Sequence, residues 1–126
     1  MHPKNQMKTE SEISFYESLL KRLPGDVDTL KLLAESYTSV GRHQDGLAVD
    51  FKLRSLCPDD GYVHYNLACS LSLCDRIDEA LAALKDAINV GYKDLEWMNS
   101  DPDIKKLRGD PRYQAEILPL IVRRQV

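Results

Sequence analysis

Cysteine, histidine and clustered carboxylates are the side chains that could do chemistry in this sequence, and their spacing argues against it. The three cysteines, Cys57, Cys69 and Cys74, form no Cys-x-x-Cys pair and have no histidine at ligand spacing. An odd, unpatterned set of this kind reads as small buried hydrophobes rather than a redox or metal centre. His2, His43 and His64 lie far apart, and none has a serine or cysteine partner in a recognisable motif, so solvated or packing roles are expected. Asp26, Asp28, Asp59, Asp60, Asp94, Asp101 and Asp110 each precede or open an apolar-periodic stretch. That is the place of a helix-capping carboxylate, not of a catalytic pair. The glycines stand one per turn and build no phosphate-binding loop. An enzymatic reading therefore has no site, and no cofactor and no metal are expected.

The elements that would position these residues are helices. Val63, Leu67, Ala68 and Leu71 draw one apolar stripe, and Ala80, Leu81, Leu84, Ala87 and Ile88 draw another, both at helical spacing. Cys74-Asp75-Arg76 between them is long enough only for a tight turn, so residues 61–91 predict an antiparallel helical hairpin. Such a hairpin cannot bury its stripes alone and needs neighbours of its own kind.

Those neighbours recur at a 34-residue step. Leu33, Ala34, Tyr37, Leu47 and Leu56 stand one step before Leu67, Ala68, Leu71, Leu81 and Val90, and Ile13, Leu19 and Pro24 stand one step before Leu47, Leu53 and Pro58. The Leu33-Ala34-x-x-Tyr37 run, Gly41 at the turn, Pro58 and Ala80 fall where the tetratricopeptide repeat has its signature residues. The chain resembles a small member of that family over residues 13–91. Gly46 replaces the family's Ala, and Asp50 replaces an aromatic that the adjacent Phe51 could supply. The resemblance implies an all-α solenoid of antiparallel helical hairpins, with about seven helices.

In order, residues 1–8 are polar and expected to fray. A half repeat over 9–24 starts at Thr9 or Ser11 as N-cap and carries Ile13, Phe15, Tyr16, Leu19, Leu20 and Leu23. The repeat over 27–60 has a first helix with Val27, Leu30, Leu33, Ala34, Tyr37 and Val40, a left-handed Gly41, and a second helix with Leu47, Ala48, Phe51 and Leu56. A second repeat spans 61–94, and its breaks read as joints within one domain. Residues 95–126 resemble the tail that closes bacterial arrays of this family, with Asp101-Pro102 and Asp110-Pro111 as helix starts. These predict a short helix at 102–107 and a longer one from Pro111 that Pro119 kinks or ends. The task expected of the tail is to cover an open apolar end with Leu95, Trp97, Met98, Ile104, Leu107, Tyr113, Ile117 and Leu118.

Composition bounds the function. The 126 residues suit one domain with a core, and 43% apolar with 29% charged residues is ordinary for a soluble protein. A net charge of −3 without a basic stripe disfavours a nucleic-acid partner. No apolar run has membrane-spanning length, and the N-terminal residues lack a signal-peptide core, so a cytoplasmic protein with no membrane partner is expected. In the resembled family the first helix of each unit lines a concave face that receives a partner peptide. Carried over by position, that face holds Asp28, Lys31, Glu35 and Thr38 from one unit and Tyr62, Tyr65, Asn66, Cys69 and Ser72 from the next. Lys31 and Asn66 match two places of a known clamp for a peptide's C-terminal carboxylate, but Glu35 would repel that group. Tyr62 and Tyr65 could instead pack against the tail. The functional expectation is a non-enzymatic module binding a protein or peptide. The alternatives are a homo-oligomerisation module and a chaperone-like or regulatory subunit.

Overall fold

A computed structural model describes residues 10–125, and all regular structure among them is helical. The expected fraying of residues 1–8 and the possible Thr9 cap lie outside the described residues. The elements are α1 (Glu10–Arg22), α2 (Val27–Ser39), α3 (His43–Leu56), α4 (Gly61–Leu73), α5 (Ile77–Asn89), α6 (Leu95–Ser100), a 3₁₀ turn (Pro102–Ile104), α7 (Lys105–Arg108), a π-helical turn (Tyr113–Ile117) and α8 (Leu118–Gln125). These are eight α-helices among the described residues, against about seven expected. The chain divides into two compact units between Leu56 and Cys57, at the Pro58 break.

The first unit holds α1–α3. Asp26 caps α2 by accepting from the Thr29 amide at 3.1 Å and the Thr29 hydroxyl at 2.5 Å. Ile13, Leu33 and Tyr37 form a buried cluster, with Tyr16, Leu20, Val40 and Val49 packed against it. The face that α3 buries is Gly46, Leu47, Asp50 and Leu53, whereas Ala48 and Leu56 are exposed. The expected stripe through Ala48 and Phe51 is thus corrected by one position, because the acidic Asp50 belongs to the inner face. Gly46 lets α3 approach α2 closely: a Cβ there would stand 3.3 Å from Thr38 Oγ1 and 3.6 Å from the Ala34 carbonyl. Phe51 is half-buried, with the Arg54 guanidinium 5.1 Å from its ring centroid. Ser11 sits inside α1 rather than capping it.

The second unit holds α4–α8. Asp60 caps α4 through the amides of Tyr62 and Val63, and α5 buries Ala80, Leu81, Ala83, Leu84, Ala87 and Ile88 against it. In the tail, Met98, Ile104, Leu107, Tyr113 and Ile117 are buried, Leu95 and Trp97 are half-buried, and Leu118 stays exposed. The helix expected at 102–107 is a 3₁₀ turn followed by four-residue α7. Pro119 does not end the last helix. Its ring and missing N–H disturb the preceding turn, and the chain widens there instead: Leu118 N–H bonds to the Tyr113 carbonyl five residues back.

One set of local devices recurs in both units. Asp26, Asp60 and Asp94 are N-caps spaced 34 residues apart. At the end of α2, Gly41 (φ 82°) donates to the Thr38 carbonyl and Arg42 to the Tyr37 carbonyl; at the end of α4, Asp75 (φ 60°) donates to Ser72 and Arg76 to Leu71. Both are the paired bonds of a Schellman stop. Arg42 then bonds Asp45 and Arg76 bonds Glu79, each three residues on.

Candidate functional site

The first helix of each repeat carries the expected binding face, and the two units treat that face differently. On α2 it is polar: Lys31 is exposed, and Glu35 and Thr38 are half-buried. The Thr38 hydroxyl bonds back to the Ala34 carbonyl at 3.1 Å. On α4 the residues one repeat later are Tyr65, Cys69 and Ser72, exposed by 2%, 4% and 1%. All three are corrected from partner-facing to interior. Nine of the thirteen residues of α4 are buried, more than one apolar stripe would bury.

Asp101 and the 3₁₀ turn behind it cover this face. The Asp101 carboxylate is fully buried and accepts from the Tyr65 hydroxyl at 2.6 Å and the Asp103 amide at 2.9 Å, with the Cys69 thiol at 3.7 Å. Arg108 fixes the same corner by donating to the carbonyls of Met98 at 2.9 Å and Asp101 at 2.8 Å. The Tyr65 ring stacks on Tyr92 with centroids 4.2 Å apart and planes 4° apart. Burial, then the neighbouring Cys69 and Asp101, push the Tyr65 hydroxyl well above the ordinary tyrosine range, and burial does the same to Tyr92. Both hydroxyls are held neutral.

The residues of α4 that meet solvent are Tyr62 and Asn66, one turn apart. Tyr62 is half exposed, and its ring is set edge-on to Tyr92 at 5.2 Å and 72°. A buried ring thereby holds an exposed one. From the sequence Asp101 is legible only as a helix start, and neither Tyr92 nor Arg108 as a site residue. Asp-Pro signals a helix start and says nothing of a partner 36 residues upstream, so no local signal could have found the Tyr65 bond.

The other reactive side chains are packed or capping. His64 donates from Nε2 to the Pro58 carbonyl at 2.6 Å and is buried. Cys69 is buried and Cys57 and Cys74 are half-buried, all free thiols, and burial raises the Cys74 thiol. Among the described residues no three His, Cys, Asp or Glu side chains are grouped to hold a metal ion, and no helix is long and apolar enough to cross a membrane.

No family model matches the chain, and no solved structure matches it. A 44-residue stretch, 35% of the chain, is 41% identical to a chloroplastic protein of Arabidopsis thaliana. That stretch spans 13% of the relative's own length, so the chain corresponds to a small part of it.

Proposed function

We propose that this chain is a non-catalytic protein-interaction module built on the tetratricopeptide plan, a short solenoid closed by its tail. The observation that carries the reading is the 34-residue recurrence of cap and stop geometry: Asp26, Asp60 and Asp94 at helix starts, Gly41 and Asp75 at helix ends. A repeat plan that keeps its turns constant while changing the outward residues of its first helices is suited to presenting side chains to a partner. The residues left to do so are Lys31, Glu35 and Thr38 on α2 and Tyr62 and Asn66 on α4. Tyr62 is the anchor, because a half-exposed aromatic held by another ring loses little side-chain freedom on binding. Lys31 and Glu35, one turn apart, fit a peptide of mixed charge.

The test is capture of a partner from lysate of the source organism, followed by titration with variants. Tyr62→Ala should weaken binding by about tenfold or more, and Asn66→Ala less, with helicity retained in both. Normal binding by both variants and by Lys31→Glu would remove these faces as the site.

A further inference from the structure

The buried pair of the second unit, a phenol on a carboxylate, is joined to the surface by aromatic contacts. The Tyr65 hydroxyl donates to Asp101 Oδ2 at 2.6 Å, a length typical of a hydroxyl on an ionised acceptor. The carboxylate is set up to accept: the Cys69 thiol is directed at the same oxygen and the Asp103 amide at the other. The Tyr65 ring lies flat on Tyr92 with centroids 4.2 Å apart, and Tyr92 meets Tyr62 edge to face at 5.2 Å. Tyr65 is 2% exposed and Tyr62 51%, so three rings in contact lead from solvent to the buried pair.

A phenol that keeps its proton is hard to oxidise in an interior, because the product is a buried cation. A proton acceptor already bonded to the hydroxyl removes that cost. We infer that Tyr65 is a one-electron donor, discharged through the Tyr92 and Tyr62 rings to an outer-sphere one-electron oxidant at the surface. In a single step the electron passes to the oxidant and the proton to Asp101. The O–H bond of Tyr65 breaks and an O–H bond forms on Asp101 Oδ2. The products are a neutral tyrosyl radical, a neutral carboxylic acid and the reduced oxidant. Burial then keeps the radical from coupling with another. Tyr37 also donates to a carboxylate, that of Glu17, but the Arg42 guanidinium stands 4.6 Å from its ring centroid. A cation held by a ring's electrons opposes the loss of one, so Tyr37 is the poorer donor. Electron transfer from Tyr65 stands or falls separately from peptide binding on α2 and α4.

Flash-quench photolysis of the full chain tests this. Photogenerated tris(bipyridine)ruthenium(III) in solution is the oxidant, and the tyrosyl radical is followed by its absorbance and by electron paramagnetic resonance. Wild type and Tyr37→Phe should both give a long-lived radical whose rate of formation does not depend on buffer concentration, because the base is internal. A solvent-exposed tyrosine, which loses its proton to solvent, forms its radical faster with more buffer and loses it by coupling. Tyr65→Phe should abolish the long-lived component. Tyr62→Leu changes an exposed side chain and leaves the buried pair in place; it should slow formation about tenfold, since an aliphatic side chain is the poorer electron path. The Tyr62→Leu and buffer arms read the pair intact even where Tyr65→Phe weakens the fold. A long-lived radical that survives Tyr65→Phe overturns the inference. So does a rate that rises with buffer in wild type, or one unchanged in Tyr62→Leu.

Discussion

The hydroxyl of Tyr65 and the carboxylate of Asp101, 36 residues apart in the chain, form a 2.6 Å hydrogen bond in which the acceptor is fully buried. Tyr65→Phe removes the donor and leaves part of a buried carboxylate without its partner. The expected cost is about 1–3 kcal/mol, read as a lower urea midpoint. Tyr65→Ala also empties the space beside Tyr92 and should cost about 3–5 kcal/mol. Of the two sequence-based expectations for Tyr65, facing a partner or packing against the tail, the bond to Asp101 is the second; under the first the alanine variant would melt normally.

Gly61 opens α4 with its Cα against the chain at Tyr92. A Cβ there would lie 2.7 Å from the Tyr92 amide nitrogen and 3.0 Å from its Cα, and backbone cannot step aside as a flexible side chain can. Gly61→Ala should therefore destabilise by about 1–3 kcal/mol despite the mildness of the change. An unaltered thermal midpoint would show that the two segments separate at little cost.

The stops at Gly41 and Asp75 share one geometry but not one residue type. Gly41 at φ 82° takes the left-handed region freely, so Gly41→Val should cost about 1–2 kcal/mol. Asp75 bears that strain at φ 60°, offset by an exposed ion pair with Lys106 worth little. Asp75→Gly is expected to raise stability by up to about 1 kcal/mol, measured by urea titration.

Two groups give the first unit a pH signature. The Thr29 hydroxyl, then the Thr29 amide, hold the Asp26 carboxyl below its ordinary 3.8. Its contribution is present above pH 3.8 and lost as pH falls through the lower folded value. The gap in urea midpoint between wild type and Asp26→Asn should thus close in acid. Burial, then the bond to Glu17, push the Tyr37 hydroxyl up to about 12 from 10. Stability from the neutral hydroxyl is present below pH 10 and disappears as pH rises toward 12, so Tyr37→Phe should flatten the alkaline loss.

Local sequence carries most of the helical plan. The cap at Asp26, the left-handed Gly41, the stripe of α5 and the helix starts at Asp101 and Asp110 are decided within a few residues, and each is found where spacing predicts it. What spacing could not supply is the occupant of a helix's second face. α4 reads as a helix with one apolar stripe and Tyr65, Cys69 and Ser72 beside it, and the contact of Tyr65 and Cys69 with Asp101, more than 30 residues downstream, is not legible in that spacing. The same blindness moved the face of α3, where Asp50 points inward. At Pro119, where a kink or a stop is expected, the helix does not stop: a widened turn takes up the disturbance.

The enclosure of α4 has a consequence for how the chain is made. Synthesis proceeds from α4 toward Asp101, so the helix emerges from the ribosome before the segment that covers it does. At about 5–20 residues per second, those 36 residues take roughly 2–7 s. Throughout that interval Tyr65 and its neighbours are wet, and the nascent second unit presents an unfinished apolar surface to whatever binds newly made chains.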